Sequence, residues 1–290
     1  MQSFEYFEAK SLEEVVQTLA SGDEIRVLAG GCGILLLMKQ NLYFPRALVN
    51  IKKIPGLKYI QENNGAVRIG TLATHNEVRG MPLVGEKLPL LSEALDYVAT
   101  NRIRNMATIG GTLAHADPTS DAAPALLVLD AKVVVMGPNG EREIELAVFF
   151  KDYFETVLEP DEVLKEIVVP LPPVTAGGYY TRFQVRKAMD KAMPGVAVLI
   201  DLEEDKKTIR SARIGLSGVG SCCLRLEEAE QFLAGNEDHP DIRQKLAEII
   251  KATIDPVEEY HFTVDYKKQI AAVFLQRVFA EAYSRASSSR

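Results

Sequence analysis

Cysteine is scarce in this 290-residue chain: there are three, with Cys222 and Cys223 adjacent. An odd, clustered set cannot form a disulfide framework, and three thiols are too few to hold an iron–sulfur cluster that needs four. Any such cluster would sit on another chain. Histidine is also sparse, and His75, His115, His239 and His261 show neither metal-ligand spacing nor the order of a known nucleophile triad. No metal site is therefore expected, and no nucleophile motif is read. No Lys/Arg cluster stands out and the net charge is −7, which argues against a nucleic-acid partner. Apolar runs such as Ala122–Leu129 are too short to span a bilayer. The first residues, Met-Gln-Ser-Phe-Glu-Tyr-Phe-Glu, have neither a basic region nor a long apolar one, so a cytoplasmic location is expected.

What is present is a pattern of alternating elements. Ser11-Leu12-Glu13-Glu14 reads as a capping box opening a helix through Leu19, and Ile25–Leu28 as a short buried strand. Ala29-Gly30-Gly31-Cys32-Gly33 follows as a turn, then a helix from Ile34 to Lys39 and a strand at Ala47–Ile51. Pro55-Gly56 closes this βαβ-like unit. Further strands are expected at Val67–Gly70, Ala131–Met136 and Val163–Val169, with a capping box at Thr74-His75-Asn76-Glu77, a helix at Leu88–Val98 and a hairpin turn at Gly137–Gly140. The prolines at 170, 172 and 173 mark the best boundary. Beyond them, Tyr179–Arg186, Val196–Leu202 and Ile209–Leu216 suggest a three-stranded antiparallel sheet, with helices from Arg225, Asp241 and Val264. In the last helix Ile270, Val273, Phe274, Val278 and Ala282 form the expected core stripe, and Ser287–Arg290 a frayed tail. Units of 1–57, 58–173 and 174–290 follow.

Two glycine clusters carry chemistry. The upstream one lies between a strand and a helix, where successive amides can cradle a pyrophosphate. It is not a dinucleotide-binding fingerprint: the third glycine is missing, and Asn50 stands where the ribose-binding acid belongs. The downstream segment, Asn101–Pro124, combines Gly110-Gly111 with Thr108, Thr112, His115, Asp117 and Asp121, a grouping suited to a polar ligand and also to a tight turn.

Four stretches resemble the FAD-binding medium subunits of molybdenum hydroxylases, the carbon monoxide dehydrogenase and xanthine dehydrogenase family. They are Leu28–Lys39, Ile103–Thr112 with its extension through Ala114–Pro118 to Asp121, Asp161–Pro170, and Arg186–Asp190. The resemblance implies an α+β protein with an FAD-binding fold of the vanillyl-alcohol oxidase and p-cresol methylhydroxylase type, followed by a C-terminal sheet-and-helix domain. It implies noncovalent FAD, with the pyrophosphate on Ala29, Gly30, Gly31, Cys32, Gly33 and Ile34. Thr108, Ile109, Gly110, Gly111 and Thr112 would complete the cradle, His115 and Asp121 would lie along the ribityl or flavin side, and Leu164 near the isoalloxazine. Arg186, Lys187 and Asp190 would border its exposed face. The implied partners are a small subunit with two [2Fe–2S] clusters, a large molybdenum-cofactor subunit, and an acceptor such as NAD, oxygen or a quinone. Cys32-Gly33 departs from the family's Thr-Asp or His-Ser, so backbone amides must do more of the binding, and Thr112 replaces a common asparagine. A stand-alone FAD-dependent oxidoreductase and a cofactor-free structural subunit are the alternatives.

Overall fold

The structure, a computed structural model, describes residues 3–186, 191–259 and 262–289. The first unit comprises β1 (Glu5–Glu8), α1 (Leu12–Ala20), β2 (Ile25–Leu28), α2 (Ile34–Lys39) and β3 (Ala47–Asn50). β3 lies between β1 and β2, parallel to both. Its Ala-Leu-Val-Asn run is buried throughout, as a central parallel strand requires. β1 was not expected. All four of its residues are exposed and its ends are glutamates, so it carries no hydrophobic alternation to read. The capping box is displaced by one residue: the Ser11 hydroxyl accepts from Glu14 N–H, but the Glu14 carboxylate accepts from Lys10 N–H.

The second unit begins with β4 (Ile60–Asn63), β5 (Ala66–Gly70), α3 (His75–Gly80), α4 (Pro82–Lys87) and α5 (Pro89–Tyr97). It continues through α6 (Asn101–Arg104), α7 (Ile109–His115), α8 (Ala122–Val128), β6 (Lys132–Gly137) and β7 (Gly140–Glu145). A small β8–β9 pair (Phe150–Asp152, Glu155–Thr156) and β10 (Val163–Pro170) complete it. Its antiparallel sheet runs β4-β5-β10-β6-β7, so the last strand pairs into the middle. Leu91, Leu95, Ile109, Leu113 and Leu126 of the helices pack with Val133 and Ile167 of the sheet into the main core. The Thr74 capping box is reciprocal as expected, with Thr74 Oγ1 accepting from Glu77 N–H and the Glu77 carboxylate from Thr74 N–H.

The C-terminal unit has β11 (Gly177–Arg182), β12 (Gly195–Leu202), β13 (Ile209–Ser217), β14 (Leu224–Arg225), α9 (Glu227–Leu233), α10 (Pro240–Thr253) and α11 (Val264–Ser288). The antiparallel sheet has four strands in sequence order, not three. Arg225, expected to open a helix, lies in the extra strand, where Asp130 and Glu230 hold its guanidinium. The buried stripe of α11 is Ala271, Ala272, Leu275, Val278, Phe279, Ala282 and Ala286, so Ile270, Val273 and Phe274 are only partly covered. Contact selects the small residues: a Cβ on Gly177 of β11 would lie 2.1 Å from Ala286 N, which lets strand and helix touch at the backbone. The expected frayed tail instead continues the helix to Ser288. No helix among the described residues is long and apolar enough to cross a membrane.

A buried ion pair fastens this unit to the second. Asp121, at the N-terminus of α8, accepts from Tyr180 Oη at 2.6 Å and from Arg182 Nη1 at 2.8 and 3.0 Å. The Arg182 guanidinium lies over the Tyr97 ring, which meets Tyr180 edge-on at 5.4 Å. Both charged side chains are less than a tenth exposed. The oxygens of Asp121, which the sequence reading placed along the cofactor, are engaged by partners some 60 positions away in the chain. Arg182→Met should lower the unfolding free energy by about 3–5 kcal/mol, because it strands a carboxylate in the core. Asp121→Asn in that background should recover part of the loss, both read by urea denaturation.

Candidate functional site

The glycine loop joins β2 to α2 within a handful of residues. Gly31 has φ +80°, a left-handed conformation that glycine adopts without steric cost. The carbonyls of Gly31 and Gly33 accept from Leu35, Leu36 and Leu37, which starts the helix. The amides of Gly30, Gly31, Cys32, Gly33 and Ile34 donate to no acceptor among the described residues. Gly33 is the N-cap of α2 and supplies no side-chain cap. A serine or aspartate there would itself accept an end amide. Glycine leaves that donor pointing outward, at the positive end of a helix dipole.

Helix α7 stands against this loop. A Cβ on Gly30 would lie 2.2 Å from the Met106 carbonyl oxygen, one on Gly33 2.5 Å from His115 Nε2, and one on Gly111 3.8 Å from the Ala29 Cβ. The two glycine clusters, about 80 residues apart in sequence, thus meet as expected. The division of roles differs from the expectation. Ile109 N–H donates to Ala73 O, Gly110 N–H to Thr71 O, Gly111 N–H to Thr108 Oγ1 and Thr112 N–H to Thr108 O. These amides already have acceptors. Ile109 is fully buried, and a Cβ on Gly110 would fall 1.9 Å from Thr71 Oγ1, so this pair packs α7 against the β5–α3 connection. What α7 offers the loop is a close wall at Gly111 and the Thr112 hydroxyl.

His115, on the last turn of α7, is half-buried and lies 5.1 Å from the Phe154 ring. Burial holds its imidazole below the ordinary histidine pKa, so it is neutral at pH 7. Burial alone would raise the nearby Asp117 carboxyl, but hydrogen bonds from Thr119 N–H and Oγ1, with Lys191 3.6 Å away, bring it below the usual range. Pro118, Thr119, Lys191, Tyr153 and Phe183 line a cleft of about 450 Å³ on the C-terminal side. Leu164, expected near the isoalloxazine, is 4 % exposed and belongs to the core beneath α7. Arg186 lines the cleft, whereas Lys187 and Asp190 lie outside the described residues.

Two contacts were missed or misread from sequence. His75, read only as part of a helix start, is fully buried, and its Nε2 is 2.7 Å from Thr112 Oγ1. Burial drags its pKa down to about 4. Asn50 donates to Tyr6 Oη and accepts from Lys52 N–H, so it ties β3 to β1 and the following turn.

The donor set fits a dinucleotide pyrophosphate: consecutive unengaged amides at a helix start, with glycines where side chains would intrude. Gly30→Ala tests this packing, because its Cβ meets backbone that cannot swing aside. The substitution should lower the unfolding free energy by about 1–3 kcal/mol and abolish FAD uptake, read by denaturation and flavin absorbance. Gly85→Ala, at an open, exposed helical position, should leave FAD uptake unchanged and raise the unfolding free energy by about 0.5–1 kcal/mol.

Residues 2–172 match the FAD binding domain in molybdopterin dehydrogenase, and residues 179–282 the CO dehydrogenase flavoprotein C-terminal domain. The chain is 34% identical over 289 residues to subunit alpha of the 6-hydroxypseudooxynicotine dehydrogenase complex of Paenarthrobacter nicotinovorans, covering 99% of this chain and 97% of that one. It is 34% identical over 283 residues to the carbon monoxide dehydrogenase medium chain of Hydrogenophaga pseudoflava, covering 97% and 98%. A solved structure of carbon monoxide dehydrogenase from that organism superposes with a TM-score of 0.94 at 35% identity, covering 98% of each chain. Quinoline 2-oxidoreductase from Pseudomonas putida 86 gives 0.91 at 28% identity, covering 99% of each. With the two-part cradle and both domains matched, the chain belongs to the FAD-binding medium subunits of the molybdenum hydroxylases, and its cofactor is FAD.

Proposed function

We propose that this chain is the electron-transferring flavin subunit of a hetero-oligomeric dehydrogenase. It takes electrons from [2Fe–2S] clusters on a small partner subunit and passes them to a terminal acceptor such as NAD, oxygen or a quinone. A third chain, bearing the molybdenum cofactor, oxidises the substrate. The observation that carries this reading is the run of unengaged amides from Gly30 to Ile34 set against α7. The chemistry supplied by bound FAD is the exchange of single electrons on one side for electron pairs on the other.

The chain's own residues have a simpler task. The loop amides bind the pyrophosphate, and the bare Cα atoms of Gly30 and Gly33 set its depth. The His115 ring, packed 5.1 Å from that of Phe154, closes off the side of the loop at Gly33. Thr119 N–H and Oγ1 both donate to the Asp117 carboxylate, which fixes it beside His115. The relatives' names bear on substrate choice: carbon monoxide, glyceraldehyde, caffeine and nicotinate dehydrogenases share this one subunit at 27–34% identity. So wide a set of substrates supports a reading in which another chain chooses the substrate.

Native purification with flavin, iron and molybdenum counted per chain tests the proposal. One FAD per chain with co-purifying iron and molybdenum is expected. A colourless chain that takes up no FAD would point to the structural alternative. A flavin-loaded chain that stays alone and turns over a small substrate would establish the stand-alone enzyme.

A further inference from the structure

His75 is fully buried, with Nε2 2.7 Å from Thr112 Oγ1 and Nδ1 buried without a partner. It is held firmly: its N–H donates to Ala107 O, and the Thr74 cap fixes the start of its helix. A neutral imidazole has one N–H to place on one of two nitrogens. Placed on Nδ1, it would be a buried donor with no acceptor, the costlier kind of unpaired group. On Nε2 it reaches Thr112 Oγ1, and only a lone pair goes unused.

The threonine completes the picture. Helical threonines in this chain turn their hydroxyls back onto the preceding turn, as Thr18 does to Glu14 O at 2.7 Å and Thr253 to Ile249 O at 2.9 Å. Thr112 makes no such bond; Thr108 O accepts from its N–H instead. With His75 Nε2 donating, its hydroxyl proton has no other acceptor among the described residues, and Thr112 is partly exposed beside Gly111, which faces Ala29 of the glycine loop.

We infer that His75 is a positioning residue: its Nε2–H donates to Thr112 Oγ1, which turns the threonine's own proton outward to an oxygen of bound FAD. This inference rests on the placement of FAD between the loop and α7 proposed above. It assigns Thr112 a donor role, where an asparagine amide would also donate.

Two measurements test it. In the unsubstituted chain with ¹⁵N-labelled histidine and no FAD, nitrogen NMR should show His75 as the Nε2–H tautomer. Calorimetric FAD titration should show Thr112→Val binding about tenfold weaker, the effect of one lost hydrogen bond, and Thr112→Ser binding within about twofold of the unsubstituted chain. His75→Phe should weaken binding like Thr112→Val and add nothing to it in the double variant, while His75→Gln, which keeps a donor, should restore it. An Nδ1–H tautomer, or Thr112→Val binding FAD as tightly as the unsubstituted chain, would overturn the inference alone. Failure of the unsubstituted chain to bind FAD would overturn the cofactor placement and the inference with it.

Discussion

A carbonyl oxygen, that of Met106, occupies the place where a side chain at position 30 would begin. Only glycine permits that approach, and most of the site follows from it. The loop after β2 is pressed against the α6–α7 connection, and its amides from Gly30 to Ile34 are left without an acceptor among the described residues. The same contact seats Gly33 on the His115 ring and brings Gly111 opposite Ala29. Two units with separate sheets thereby share one wall.

The two halves of the cradle do different physical work. The upstream loop is electrostatic: a short run of donors at the start of α2, with no side-chain cap to compete for them. The downstream helix is mechanical. Its first-turn amides are bonded to Thr71, Ala73 and Thr108, which makes α7 a fixed extension of β5 and the α3 cap. Rigidity on one side and open donors on the other let a dinucleotide bind without reorganising the protein. The Asp121–Arg182–Tyr180 contact extends this stiffness to the C-terminal unit and sets the cleft beyond His115 in a fixed relation to the loop.

Much of this was legible in the sequence where local rules act alone. β2, α2, the Gly137–Gly140 turn and the Thr74 cap all follow from short-range pattern and capping chemistry. The glycine clusters were legible as a site but not as a division of labour. A Gly-Gly pair serves close packing and ligand approach equally well, and only the Thr71 hydroxyl beside Gly110 separates the two uses. The partners of Asp121 were illegible for a related reason: a buried carboxylate needs a donor, but that an arginine on β11 supplies it depends on tertiary contact. β1 escaped because an exposed edge strand needs no apolar face. The α11 stripe was right at Val278 and Ala282 and missed Ala286, because close contact with Gly177 favours alanine over the larger side chains that dominate a hydrophobicity pattern.

Backbone amide NMR during FAD titration tests the central claim most directly, because it reads each donor separately. The amides of Gly30 to Ile34 should shift and gain exchange protection as FAD binds, while those of Ile109 to Thr112, already bonded within the protein, should be protected before and after. Protection gained at residues 109–112 with none at residues 30–34 would contradict the assignment of the pyrophosphate to the upstream loop.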